Sequence, residues 1–187
     1  MSNKNIGIIV GSLRRGSFCR SVAKAAASLA PEGLSFQFIE IGDLPMFNQD
    51  FDDDGNTPEA WTKFRSQVKE ADGFLFVTPE YNRSMPAVLK NALDVASRPY
   101  GSNAWSGKPG AVISATPGTL GAFGANHHLR QVMMFLNILP LQQPEAYLAN
   151  VAALLDENGE LTDERTRSFL KDFMAAFSSW VDTVSGS

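Results

Sequence analysis

Between the short apolar run Ile6–Val10 and an alanine-rich segment stand Gly11-Ser12-Leu13-Arg14-Arg15-Gly16-Ser17-Phe18-Cys19-Arg20. Gly11 allows a sharp backbone turn because it has no Cβ to clash. Ser12 and Ser17 offer hydroxyl donors, and Arg14 offers a forked cation suited to an oxyanion. The loop runs into a helix start, where free N–H groups and the positive dipole end favour an anion. These are the parts of a phosphate site. Neither common nucleotide fingerprint is present: there is no G-x-G-x-x-G and no terminal Gly-Lys-Ser/Thr. Serine and arginine without those glycines suit a terminal monophosphate, such as that of FMN. The same residues also read as a polar helix cap with surface arginines, and the loop by itself leaves both readings open.

A second constellation follows the third apolar run. It is Thr78-Pro79-Glu80-Tyr81-Asn82-Arg83-Ser84-Met85-Pro86, continuing into Ala87-Val88-Leu89-Lys90-Asn91-Ala92-Leu93-Asp94. Its backbone amides and Asn82 can hydrogen-bond the edge of a flat heterocycle, and Tyr81 can pack near its face. The plainer reading is a proline-rich turn that caps a helix.

Both segments need a scaffold that brings them together, and the hydrophobic pattern predicts one. Ile6–Val10 reads as a buried strand, 17–30 as a helix, and 34–41 as a second strand. Residues 42–56 read as a loop. Thr57-Pro58-Glu59 opens a helix to about Ala71, with Thr57 as N-cap and Pro58 at the first position. A strand over 73–78, a helix over 86–97 and a strand over 111–115 follow. A Gly-rich loop, 116–124, leads into a helix ending near Asn137. A fifth strand falls within 147–154, and a helix N-capped by Thr162 closes the chain. Strands alternating with helices give an α/β fold: a doubly wound, five-stranded parallel sheet with helices on both faces. In such sheets ligands sit beyond the carboxyl ends of the strands, where the strand order reverses. That is where the turns after strands one and three would meet. No break in composition divides the 187 residues, so one domain is expected.

Composition removes several function classes. Hydrophobic residues make up 44% and charged residues 19%, which is ordinary for a globular protein. A net charge of -4 gives no basic footprint for nucleic acid. No apolar run has the length of a membrane span, and the opening Met1–Asn5 run does not resemble an export signal. One cysteine, Cys19, excludes an internal disulfide, and a cytoplasmic setting is expected.

Taken together, Gly11-Ser12-Leu13-Arg14 and Pro79-Glu80-Tyr81-Asn82-x-Ser84-x-Pro86-x-x-Leu89-Lys90-Asn91-Ala92 resemble the NAD(P)H-dependent FMN reductases, flavodoxin-like enzymes that include quinone, chromate and azo-dye reductases. The likeness spans roughly residues 5–180. It implies non-covalent FMN, with Ser12, Arg14 and Ser17 on the phosphate and Phe18 beside them. Pro79, Glu80, Tyr81 and Asn82 would line the isoalloxazine, mostly through backbone groups, and Thr116 and Gly118 would close its other side. NAD(P)H would give a hydride to flavin N5, and a quinone would then accept two electrons. Chromate, azo dyes and free flavin are further acceptors of the family. No metal and no catalytic side chain are expected, and the family's assembly is a homodimer or homotetramer. A flavodoxin-type electron carrier is the alternative, but arginines at the presumed entrance and a modest net charge favour the reductase.

The chain departs from its relatives at two places. Cys19 stands where Asn is frequent, so a phosphate contact is lost or passes to Arg20. Arg83 follows Asn82 where relatives carry an aromatic or small residue. Arg83 and Arg98 are therefore candidates for steering an anionic substrate, Arg98 from across a subunit interface. The remaining candidates read more plainly. His127 and His128 belong to a helix surface or interface, Asp52-Asp53-Asp54 to a solvated loop, and Cys19 is an inert thiol. Phe169, Phe173, Phe177 and Trp180 pack at helical spacing, and Trp105 covers a site or packs at an interface.

Overall fold

The computed structural model describes residues 3–186; Met1 and Ser2, part of the opening run read above, and Ser187 lie outside them. In chain order the elements are β1 (Lys4–Val10), α1 (Phe18–Ser28), β2 (Leu34–Phe38), α2 (Asp50–Asp53) and α3 (Glu59–Glu70). Then come β3 (Gly73–Thr78), α4 (Ala87–Ala96), β4 (Pro109–Ala115) and α5 (Phe123–Phe135). The chain closes with β5 (Leu139–Pro140), β6 (Ala146–Leu148), a 3-10 turn (Val151–Ala153) and α6 (Glu164–Ser185). Every strand pair is parallel, in the order β2-β1-β3-β4-β5, with β6 also on β4. This is the flavodoxin-like sheet, with helices on both faces.

The strands bury both faces, and the side-chain alternation sorts the core into two layers. Ile6, Ile8 and Val10, with Leu75, Val77, Ala111 and Ile113, face α1 and α6, where Phe173 and Phe177 fill the layer. Ile9, Phe74, Phe76 and Val112 face the other way, onto Trp61 and Phe64 of α3, Leu89 of α4 and Met133 of α5. The Phe169-to-Trp180 stripe is thus packing: Phe173 and Phe177 are fully buried, and the Trp180 indole N–H donates to Leu139 O.

Five local expectations change. The fifth strand position is filled by two pieces: β5 pairs with the start of β4 and β6 with its end. The segment between them carries Pro144, which cannot donate to a ladder. Residues 42–56 contain the short helix α2, held by a two-pronged ion pair between Asp52 and Arg65 at 2.7 Å, whose Nε also donates to Val95 O. Thr57 is not the cap of α3, because its hydroxyl is turned to Asp52 at 2.9 Å. The cap of α6 is Asp163, whose carboxylate accepts the Thr166 N–H, and not Thr162. Trp105 neither covers a site nor sits at a surface. It is fully buried against Phe64, Phe74 and Phe76, and its indole N–H is satisfied by Leu93 O.

Candidate flavin site

The neighbouring strands β1, β3 and β4 deliver three loops to one edge of the sheet. The first two touch at Gly11. Its N–H donates to Val77 O, and a Cβ there would stand 3.1 Å from Thr78 Oγ1 and 3.3 Å from Pro79 Cδ. With no Cβ, Gly11 lets the first loop lie against the third strand's exit without displacing these side chains. The turns after strands one and three therefore converge, as the pattern required.

In the first loop Ser12 and Ser17 are buried, whereas Arg14 is exposed. Ser17 is the N-cap of α1: its hydroxyl oxygen accepts the Arg20 N–H at 3.2 Å, and its own O–H remains available as a donor. The N–H groups of Phe18 and Cys19 belong to the first turn, which has no partners within the helix. Among the described residues Arg14 forms no ion pair, and its guanidinium lies 5.9 Å from the Phe18 ring centroid. Two hydroxyls, first-turn amides and a free cation form a donor set that fits a phosphate monoester. Cys19 points the other way, into the core beneath Ala115, and burial pushes its thiol up to about 12, so it is inert. Arg20 does not take its place on the loop, since its guanidinium is paired with Glu40.

The second loop is a tight hairpin. Tyr81 N–H donates to Ser84 O at 2.9 Å and Ser84 N–H to Tyr81 O at 3.1 Å. The two residues between them, Asn82 and Arg83, have φ of 51° and 69°. Positive φ at both central positions is the type I′ turn, which Asn tolerates and Arg adopts only under constraint. The turn leaves Tyr81 half exposed, and the Arg83 side chain is 74% exposed.

The third loop, after β4, contains Thr116 and Gly118, with Gly118 N–H donating to Thr116 Oγ1 at 3.2 Å. Its far end is fixed from beneath by a buried polar network. Ser114 Oγ donates to Gly121 O at 2.7 Å, Asn126 Nδ2 donates to Ser114 Oγ, and Arg130 Nε donates to Asn126 Oδ1. Leu120 and Phe123 stand exposed on its rim, next to Tyr147 and His127, which bond to each other at 3.0 Å. Burial, then Glu145, pushes the Tyr147 phenol up to about 12. His128 bonds Ser84 at 3.0 Å and so braces the hairpin.

Arg98 is the one predicted site residue that the fold does not bring to these loops within a single chain. It follows α4 at the end opposite the hairpin, donates to Ser97 O, and shares a hollow with Gln49, Asp52, Asp53 and Tyr100. A larger cleft of about 320 Å³ lies beside the first loop, between Arg15, Ser17 and Lys24 and the turn at 156–159, and includes neither the hairpin nor the third loop.

Several positioning residues escaped the sequence reading. Buried Asn91 accepts from Phe47 N–H at 2.7 Å and donates to Leu44 O and Pro45 O, which straps residues 44–47 to α4. Its signal was a polar residue among Leu89, Ala92 and Leu93. Asn126 gave the same kind of signal in α5. The Glu80 carboxylate turns to α5, which leaves its backbone groups at the loop edge.

A flavodoxin-like sheet whose loops after β1, β3 and β4 meet at one edge, the first with a donor set suited to a phosphate monoester, is the arrangement of a flavoprotein. The family model for NADPH-dependent FMN reductase matches residues 4–153. The chain is 51% identical over 177 residues to a quinone reductase of Pseudomonas putida, covering 95% of this chain and 94% of that protein. It is 50% identical to a 2-hydroxy-1,4-benzoquinone reductase of a Burkholderia species, with 94% and 95% covered. The solved flavoenzyme NAD(P)H:(acceptor) oxidoreductase FerB from Paracoccus denitrificans superposes with a TM-score of 0.89 at 39% identity, covering 96% of this chain and 98% of that one. The chain belongs to the NADPH-dependent FMN reductase family.

Proposed function

We propose that the chain is an FMN-dependent NAD(P)H:acceptor oxidoreductase whose acceptors are quinones. The observation that carries this reading is the contact of Gly11 with Thr78 and Pro79, which joins a monophosphate cradle to a hairpin with exposed backbone edges. On this reading Ser12, Arg14, Ser17 and the first-turn amides from Phe18 onward hold the phosphate. Pro79, Glu80, Tyr81 and Asn82 border the ring on one side, and Thr116 and Gly118 on the other. Bound FMN supplies hydride chemistry, taking two electrons from the reduced nicotinamide and delivering them as a pair to the acceptor.

The protein's own contribution is position and charge. Hairpin amides near the ring's polar edge stabilise negative charge there. Tyr81, Leu120 and Phe123 give an apolar rim on which a flat acceptor can lie. Arg83 stands exposed at the hairpin tip and attracts anionic acceptors, such as chromate, or the donor's phosphates. Arg98 reaches a site only in an assembly, where it would serve a neighbouring subunit. A homodimer or homotetramer is supported by the exposed Tyr100, Met134 and Phe135, apolar groups that solvent would not favour.

The whole chain acts as one reductase domain. Among the described residues no helix is long and apolar enough to cross a membrane. A cytoplasmic setting, where reduced nicotinamide is available, goes with the lone buried thiol. The test is direct. Purified protein should be yellow, and added quinone should turn a single stoichiometric oxidation of NAD(P)H into continuous turnover. A yellow protein that passes single electrons to a protein partner but leaves NAD(P)H untouched would make it a carrier instead.

A further inference from the structure

We propose that Glu80 is a positioning residue of the flavin site, with its carboxylate capping the N-terminus of α5 from another loop and locking the hairpin to the wall after β4. The inference rests on the reading of these loops as a flavin site.

A helix leaves its first N–H groups without intrahelical partners. In α5 the Phe123 N–H finds Leu120 O at 3.1 Å, but no local side chain caps the next ones: the N-cap is Ala122, at φ 57° and with no side-chain acceptor, preceded by Gly121 at φ 59°. Glu80 fills the gap. Its Oε2 accepts the Ala125 N–H at 3.1 Å, and a carboxylate at this end is also favoured by the helix dipole. The approach is close enough to require Gly124, where a Cβ would stand 2.8 Å from Arg83 O and 3.0 Å from Glu80 Oε2. One turn on, His128 bonds Ser84. The hairpin therefore rests on α5 at residues 124, 125 and 128, and Tyr81 and Asn82 cannot shift without releasing the cap.

The second oxygen of the same carboxylate serves Arg83. Oε1 lies 3.4 Å from Arg83 NH1, and the Glu80 side chain is only 12% exposed. Glu80 thus sets the hairpin through one oxygen and moderates the entrance cation through the other. The two roles separate by substitution. Glutamine keeps an acceptor for the Ala125 N–H but removes the negative charge beside Arg83, whereas alanine removes both.

The test compares Glu80→Ala, Glu80→Gln and Gly124→Ala with the parent. Amide exchange is followed in the segment 122–126 of the FMN-free protein, FMN affinity by fluorescence quenching, and KM for ferricyanide against a neutral quinone. Glu80→Ala should speed exchange and weaken FMN binding, each by about tenfold, the scale of one charge-assisted bond. Gly124→Ala should do the same while keeping the carboxylate. Glu80→Gln should restore most of both properties, through the neutral bond alone, yet lower the KM for ferricyanide relative to the quinone. Parental exchange and FMN affinity in Glu80→Ala would overturn the proposal. So would a Glu80→Gln protein as impaired as the alanine variant. If the parent itself takes up no FMN, the flavin reading fails, and the exchange rates alone still decide the cap.

Discussion

Ser17 carries two loads, and a single substitution pulls them apart. Its hydroxyl oxygen caps α1 by accepting the Arg20 N–H at 3.2 Å, and its proton is free for a phosphate oxygen. Ser17→Ala removes both, and loss of the cap costs about 1 kcal/mol of stability. Ser17→Asp keeps the cap, since aspartate is as good at this position and its charge suits the helix dipole. The same carboxylate then occupies the anion position. Two unit charges about 4 Å apart at an effective dielectric near 20 repel by roughly 4 kcal/mol. The open side of the loop admits water, which lowers this to roughly 2–4 kcal/mol, or about 30- to 1000-fold in affinity. Urea unfolding of the FMN-free protein should give Ser17→Asp the parental midpoint and Ser17→Ala a lower one. FMN titration should show Ser17→Asp as the weaker binder of the two. A Ser17→Asp protein that holds FMN as tightly as the parent would refute the phosphate position.

Three further outcomes follow from the geometry. Arg14→Ala should weaken FMN binding by about tenfold, the lower end for a charge-assisted bond, because the side chain is exposed; equilibrium dialysis measures it. Arg65 holds the Asp52 carboxyl below its usual range, so the pair contributes stability above the unfolded pKa and loses it as pH falls through the lower folded value. Asp52→Asn should therefore lower the urea midpoint near neutral pH and flatten its fall in acid. Gly121→Ala should cost about 2 kcal/mol, from its φ of 59° and a Cβ that would stand 2.7 Å from Tyr147 Cβ, as read from thermal unfolding.

The sheet was legible because its signals are local and agree with one another. Phe74 to Val77 and Ala111 to Ser114 are fully buried runs of strand length, each closed by a turn. The Gly11 turn and the Pro79–Asn82 turn could be placed together because strand order alone puts them there. What stayed hidden depends on contacts between distant segments. Two residues, Leu139 and Pro140, carry no strand period, and only pairing with Pro109 and Gly110 makes them a strand. Thr57 has the composition of a cap, but its hydroxyl donates to Asp52, which Arg65 holds in place. Trp105 looked peripheral because its neighbours are turn residues, and the core that receives it comes from three other elements. The partner of the Glu80 carboxylate was hidden too, because nothing near it in sequence reveals an uncapped helix more than forty residues on.

Recognition of a phosphate monoester by the loop after β1 is open to one direct test. Titrating FMN-free protein with FMN and with riboflavin, which share the ring and differ by that phosphate, tests it in one comparison. FMN should bind at least about a hundredfold tighter, the sum of two bonds from charged or first-turn donors. Equal affinity for the two flavins would contradict it.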